Sequence, residues 1–202
     1  MNGTTHFAGS LKTKKIRAKG PGLLWQLSNY LRWNFILGWL AAYIVAPVAR
    51  LFGLAVMFGK LEAVLIRANG ERVRYGVLGY RSVTTAFVSF VVDQLQTELS
   101  IFGDFKYHDS GVGVTAENIA NTDMETTDGE SRATGTQAEA SATVYQSVGT
   151  ISYTTTKAIT EHGLFNAATS VTLMDRTVFS AINVVSGDSI QFTYSLTCAA
   201  GG

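Results

Sequence analysis

Residues 189–198, SIQFTYSLTC, alternate without a fault: Ile190, Phe192, Tyr194, Leu196 and Cys198 fall on one side, and Gln191, Thr193, Ser195 and Thr197 on the other. Successive side chains of an extended backbone point to opposite faces, so this pattern predicts a strand with one face on a core and the other toward water or a neighbour's polar surface. The preceding DRTVFSAINVV (175–185) reads as its partner, joined through Ser186-Gly187-Asp188 as a tight hairpin. Cys198, the single cysteine, sits in the apolar register and is expected to be a buried structural thiol. One cysteine excludes an internal disulfide framework and a Cys-based zinc site.

Working outward, SATVYQSVGTISYTTTKAIT (141–160) is dense in Thr, Val, Ile and Tyr, the residues that suit a half-buried pleated surface. KLEAVLIRA and RVRYGVLGY flank Asn69-Gly70, a strong short hairpin signal. VTTAFVSFVVDQLQTE (83–98) reads as a helix capped by Thr84 or Thr85, with Phe87, Val91 and Leu95 on one face, and IFGDFKYHDSG returns to strand. Several short strands, one helix and no βαβ alternation predict a mainly β fold, an antiparallel β-sandwich with a jelly-roll-like arrangement among its forms.

Residues 110–136 form a long polar stretch holding Glu117, Asp123, Glu125, Asp128 and Glu130. It lacks the ligand order, glycine and distal Glu of an EF-hand, so a solvated loop is expected rather than a calcium site. His108 beside Asp109 and His162 beside Glu161 look like acid–base pairs, yet strand neighbours point to opposite faces; only a dyad formed across strands would bring such groups together. His6 falls in a loose N-terminal arm. The sequence holds no Gly-x-Ser-x-Gly elbow, phosphate loop, dinucleotide fingerprint or His-Glu-x-x-His. The expectation is therefore a non-enzyme with no cofactor and no bound metal.

The N-terminal part is of another character. Residues 1–61 carry eight Lys or Arg and no acidic residue, whereas 62–202 carry the other eight basic residues and all fifteen acidic ones, so a +8 segment is joined to a −7 segment. Residues 1–22 read as a flexible basic arm (Lys12, Lys14, Lys15, Arg17, Lys19), without the clustered aromatics of base reading, and no nucleic acid is expected as partner. From Leu23 a helix begins, with Leu24, Leu27 and Leu31 on one side and Gln26, Ser28 and Asn29 on the other. Seventeen uncharged residues then separate Arg32 from Arg50, interrupted by Pro47. That is the short edge of a membrane span. The alternatives are an aromatic-rich helical extension buried against protein, which is the favoured reading, or a segment absent from a mature chain that starts at Met57. The expected organisation is arm 1–22, apolar helical extension 23–59 and sandwich domain 60–202 with its acidic loop.

RATGTQ, AITEHGLF, LMDRTVF and INVVSGDSIQFTYSLT, together with KLEAVLIRANGERVRYGVLGYRSVTT, resemble a segment found in virion structural proteins of tailed bacteriophages, over about residues 60–198. The resemblance implies a virion component assembled in a host cytoplasm. The form it implies first is capsid cement or decoration, which bridges shell subunits and self-associates, commonly as a trimer; a tail-fibre or tail-tip role is second, and a membrane-anchored surface protein third. On the cement reading the partners are the major capsid protein or other virion proteins. Trp25, Trp33, Phe35, Trp39, Phe52 and Phe58 would then anchor between neighbouring subunits while the basic arm lies on acidic shell surface. The apolar run before Met57 departs from the pattern of the group.

Overall fold

The computed structural model describes residues 19–95, 104–169 and 172–200. Among the described residues nine antiparallel strands form two sheets. β1 (Val56–Ile66), β2 (Arg72–Arg81), β5 (Thr136–Ser141), β6 (Val144–Ser152) and β9 (Ser189–Ala199) make the first, in the order β2-β1-β9-β6-β5. β3 (Tyr107–Gly111), β4 (Ala133–Thr134), β7 (Lys157–Phe165) and β8 (Leu173–Val184) make the second, in the order β4-β3-β7-β8. The inward faces meet in one core containing Leu61, Leu65, Ile159, Phe179, Ile182, Ile190, Phe192 and Tyr194, each no more than 1 % exposed. The β-sandwich expected from the alternating strands is thus the fold.

Several local expectations change. The Ser186–Asp188 turn is not a hairpin: β8 and β9 lie in different sheets, and the turn carries the chain across the sandwich. Gly187 sits at φ 86°, Gly187 N–H donates to Tyr153 O, and the Asp188 carboxylate accepts from Val185 N, Ala68 N and Arg67 Nη1. One buried carboxylate therefore ties this turn to the β1–β2 turn. That turn is a true hairpin, closed by Arg67 N–H to Glu71 O with Gly70 at φ 82°. The periodicity of β9 is obeyed as far as Leu196, but Cys198 is exposed, because it pairs with Met57 at the rim, where the sheet has run past the core.

Helix α1 spans Leu23–Tyr30, α2 spans Trp33–Leu51 and α3 spans Thr85–Leu95. Thr84 Oγ1 accepts from Phe87 N–H and caps α3, as expected. Phe87 is buried and Val91 packs on the core, while Leu95, placed on the same face in sequence, is exposed beyond the sheet. β1 starts at Val56, four residues ahead of the expected domain boundary, so the extension runs directly into a central strand.

The acidic stretch is largely exposed, as expected of a solvated loop, but several of its carboxylates are tied to the body. The carboxylate of Glu161, itself 0 % exposed on the outer face of β7, accepts from Gly113, Glu125 and Thr126 N–H and from Arg176 Nε at 2.6 Å. The loop folds around that anion. Gly111 and Gly113 make this approach feasible, since a Cβ on either would fall 2.5 Å from Glu161 Oε1. Glu125 pairs with Arg176, Asp123 with Arg132, and Asp128 and Glu130 with Lys157. The Lys157 ammonium and the Thr154 groups hold Glu130 down to about 2.

Candidate interaction site on the N-terminal helices

Helix α1 closes a seam. β2 and β8 are the facing edges of the two sheets, and both present unpaired backbone groups there. Asn29, fully buried, donates to Leu78 O on β2 at 3.2 Å and accepts from Ser180 N on β8 at 3.1 Å, so a side-chain amide does the work of a missing strand rung. Trp25 Nε1–H reaches Ser180 O and Ala181 O, and its ring stands edge-on to Tyr75 at 4.6 Å. Lys19 adds one further rung, donating to Arg72 O and accepting from Arg74 N. The helix therefore docks its polar side, while Leu24 and Leu31 face outward. This inverts the expectation for Leu24, Leu27 and Leu31. A strand edge offers hydrogen-bonding groups rather than apolar area, and the polar side is the one that can answer them.

Helix α2 lies lengthwise on the same side of the body. Its inner stripe is small: Gly38, Ala42 and Ala46 face the protein, and a Cβ on Gly38 would stand 2.0 Å from Tyr80 O. Polar contacts hold it along its length. Asn34 Nδ2–H donates to Glu117, Tyr43 OH meets Tyr80 OH at 3.1 Å, and Arg50 Nε–H donates to Ala200 O. A π-turn at Ala41–Val45 precedes Pro47, absorbing the residue that lacks an N–H and would clash with the preceding turn. Arg81 is the hub, donating to Asn34 O and Tyr80 O and pairing with Glu117 from the acidic loop. Burial lowers its guanidinium to about 10, and the nearby Asp175 partly offsets this.

The outer stripe of α2 is large and apolar. Trp33 is 70 % exposed and Leu51 and Phe52 are each 79 % exposed, with Leu37, Ile44 and Val48 between them. Of the aromatic anchors expected from sequence, Trp33, Trp39 and Phe52 stand on this outer surface. Trp25 and Phe35 do not, because Trp25 is held in the seam and Phe35 packs between Tyr30 and Tyr80. Phe58 is half-buried in β1. Of the basic arm, Lys19 pairs with Glu71 at 3.2 Å, and Lys12, Lys14, Lys15 and Arg17 lie outside the described residues. Burial of α2 against its own body holds only for the inner stripe.

Acid–base groups do meet, but inside the core. His108 Nδ1 and His162 Nε2 are 2.9 Å apart across β3 and β7, and His108 Nε2 lies 2.9 Å from Ser147 Oγ on the opposite sheet. Burial pushes His108 down to about 4 and His162 well below its ordinary value. Gly149 makes the room, since a Cβ there would sit 2.4 Å from His108 Cδ2. Beside them Asp175 accepts from Thr177 Oγ1 and Tyr194 OH, and burial raises it to about 6. With the two rings 0 % and 1 % exposed, the cluster joins the sheets and presents no surface to a substrate. Among the described residues no three His, Cys, Asp or Glu side chains converge as metal ligands.

The sequence reading missed Asn29, Arg81 and the Glu161–Arg176 pair as structural hubs. The available signal was the charged Asp175-Arg176 pair inside the apolar strand LMDRTVF, since charges in such a run are buried only with partners. No family model, curated protein or solved structure matches the chain.

Proposed function

We propose that the chain is a non-enzymatic structural component of a tailed-phage virion, acting as a capsid cement or decoration protein that grips neighbouring subunits. The observation that carries this reading is the outer stripe of α2. A 19-residue apolar helix lies on the sandwich with only 11 % of its apolar window buried. A helix apolar on every side belongs in an interior, and one whose inner stripe is already docked takes the rest of that interior from a partner. The buried ion pairs and histidines brace the sandwich internally, which suits a part whose role is rigidity and contact area. The sequence resemblance over about residues 60–198 points the same way. A tail-associated position is the second form of this proposal, and α2 would serve it equally as a subunit contact.

The membrane-anchored alternative rests on the length of α2 and its mean hydropathy of 1.5. Against it stand the contacts of Asn34, Gly38, Tyr43 and Arg50, which fasten the helix to the sandwich from end to end. A span would have to give these up. The test is mass spectrometry and immunogold labelling of purified particles, before and after non-ionic detergent. Retention of the chain with labelling over the whole shell is the expected result; labelling at one pole moves it to the tail. Absence from particles, or release into detergent with lipid, overturns the proposal.

A further inference from the structure

Resting on the reading of α2 as a protein-contact surface, we propose that its outer stripe is where this chain binds a second copy of itself. From Trp33 through Leu54 ten described apolar side chains are exposed, eight of them on α2 and Phe52 and Leu54 just past its end. With aromatic side chains offering ~150–250 Å² each, they present on the order of 1,000 Å² of apolar surface. That exceeds the ~300–600 Å² typical of the largest patch on a monomer, and reaches the ~800 Å² per partner of a standard stable interface.

The chemistry of the stripe selects the occupant. No charged residue lies between Arg32 and Arg50, so the middle of the stripe can pack on a second copy without desolvating a charge, with the arginines left at the rim. A twofold contact demands such self-complementarity, and it closes, leaving no second apolar face to propagate. The aromatic and aliphatic knobs Trp33, Leu37, Ile44, Val48 and Leu51 suit interdigitation with their own kind. A lipid surface fits less well. The helix is fastened lengthwise, and sinking its stripe into hydrocarbon would carry the exposed Arg50 with it. Docking of the inner stripe prepares the outer one: Gly38 and Arg81 fix α2 before any partner arrives, so little ordering cost falls on association.

The experiment is sedimentation equilibrium with light scattering on the purified full chain, without detergent, from about 1 to about 100 µM. The expected mass is twice that of the 21.7 kDa protomer, as a closed twofold contact requires. Ile44→Glu is expected to return the protomer mass with an unchanged far-ultraviolet spectrum, weakening association at least 100-fold. If Ile44→Glu unfolds, Trp33→Ser on the same stripe gives the same reading with a smaller disturbance. A wild-type protomer mass at 100 µM, or an oligomer that survives both substitutions, overturns the proposal. So does flotation of the chain with phosphatidylglycerol vesicles. Because particles are not involved, a monomeric result sinks this contact without deciding whether the chain enters virions.

Discussion

The sandwich and the helix pair distribute their side chains in opposite ways. In the sandwich, Phe179, Ile182 and Phe192 are fully buried, and even the charges inside have partners. On the helices, Asn29, Asn34 and Gly38 face inward while Trp33, Leu51 and Phe52 face out. Strands bury area because two sheets present matching apolar faces. The helices instead meet sheet edges and turn ends, where the requirement is hydrogen bonds and close approach. What the helices leave outside is therefore what an interface needs.

Truncating a core side chain and a stripe side chain draws the contrast most sharply. Phe192→Ala, which removes a fully buried ring, is expected to cost ~3–5 kcal/mol in urea or thermal unfolding. Arg81→Met is expected to cost about 3 kcal/mol, since it strands Glu117 in a site where both side chains are only 9 % exposed, and to free α2 to limited proteolysis.

Acid should loosen the sandwich before the helix contacts. His108 and His162 are depressed in the folded state, so their contribution is full above the ordinary histidine value near 6.5 and is lost as pH falls toward their folded values, at ~1.4 kcal/mol per pH unit each. Asp175, raised to about 6, works the other way, regaining stability as pH falls from 6 toward the ordinary carboxylate range. Two groups outweigh one, so the urea midpoint is expected to be lower at pH 5 than at pH 7.5. Asp175→Asn should steepen that loss. An unchanged midpoint would contradict the buried histidine pair.

Gly38→Ala separates the two regions differently. Helix propensity alone predicts a gain of about 1 kcal/mol, whereas the clash with Tyr80 O predicts a net loss of ~1–3 kcal/mol and release of α2. A more stable protein would mean that α2 does not lie where it is described. The smallest effect is expected from Trp33→Ser, within ~0.5 kcal/mol on protomer stability, because that ring is 70 % exposed.

How much was legible depends on the range of the interaction. Alternation in residues 189–196, the Asn69-Gly70 hairpin and the Thr84 cap are local, and each stands where the residues placed it. The sandwich class follows from them. The sheet to which each strand belongs is not local: Ser186-Gly187-Asp188 carries the same turn chemistry whether it makes a hairpin or crosses between sheets. The ion pairs that tie the acidic loop down were not legible because its counter-charges, Arg81, Lys157 and Arg176, come from positions distant in sequence. His108 and His162 lie 54 residues apart and meet only when β3 pairs with β7.

Sequence alone determined the strand faces, the sharp change of charge and hydropathy near residue 60, and a seventeen-residue uncharged run within an apolar helical extension. Only the tertiary structure decided which side of that helix stays outside. Periodicity reports how apolar a face is, and α2 is apolar all round. The choice was made by size and hydrogen bonding, because Gly38 could approach Tyr80 O closely and the Asn34 side chain could donate to Glu117, leaving the bulky residues to face outward.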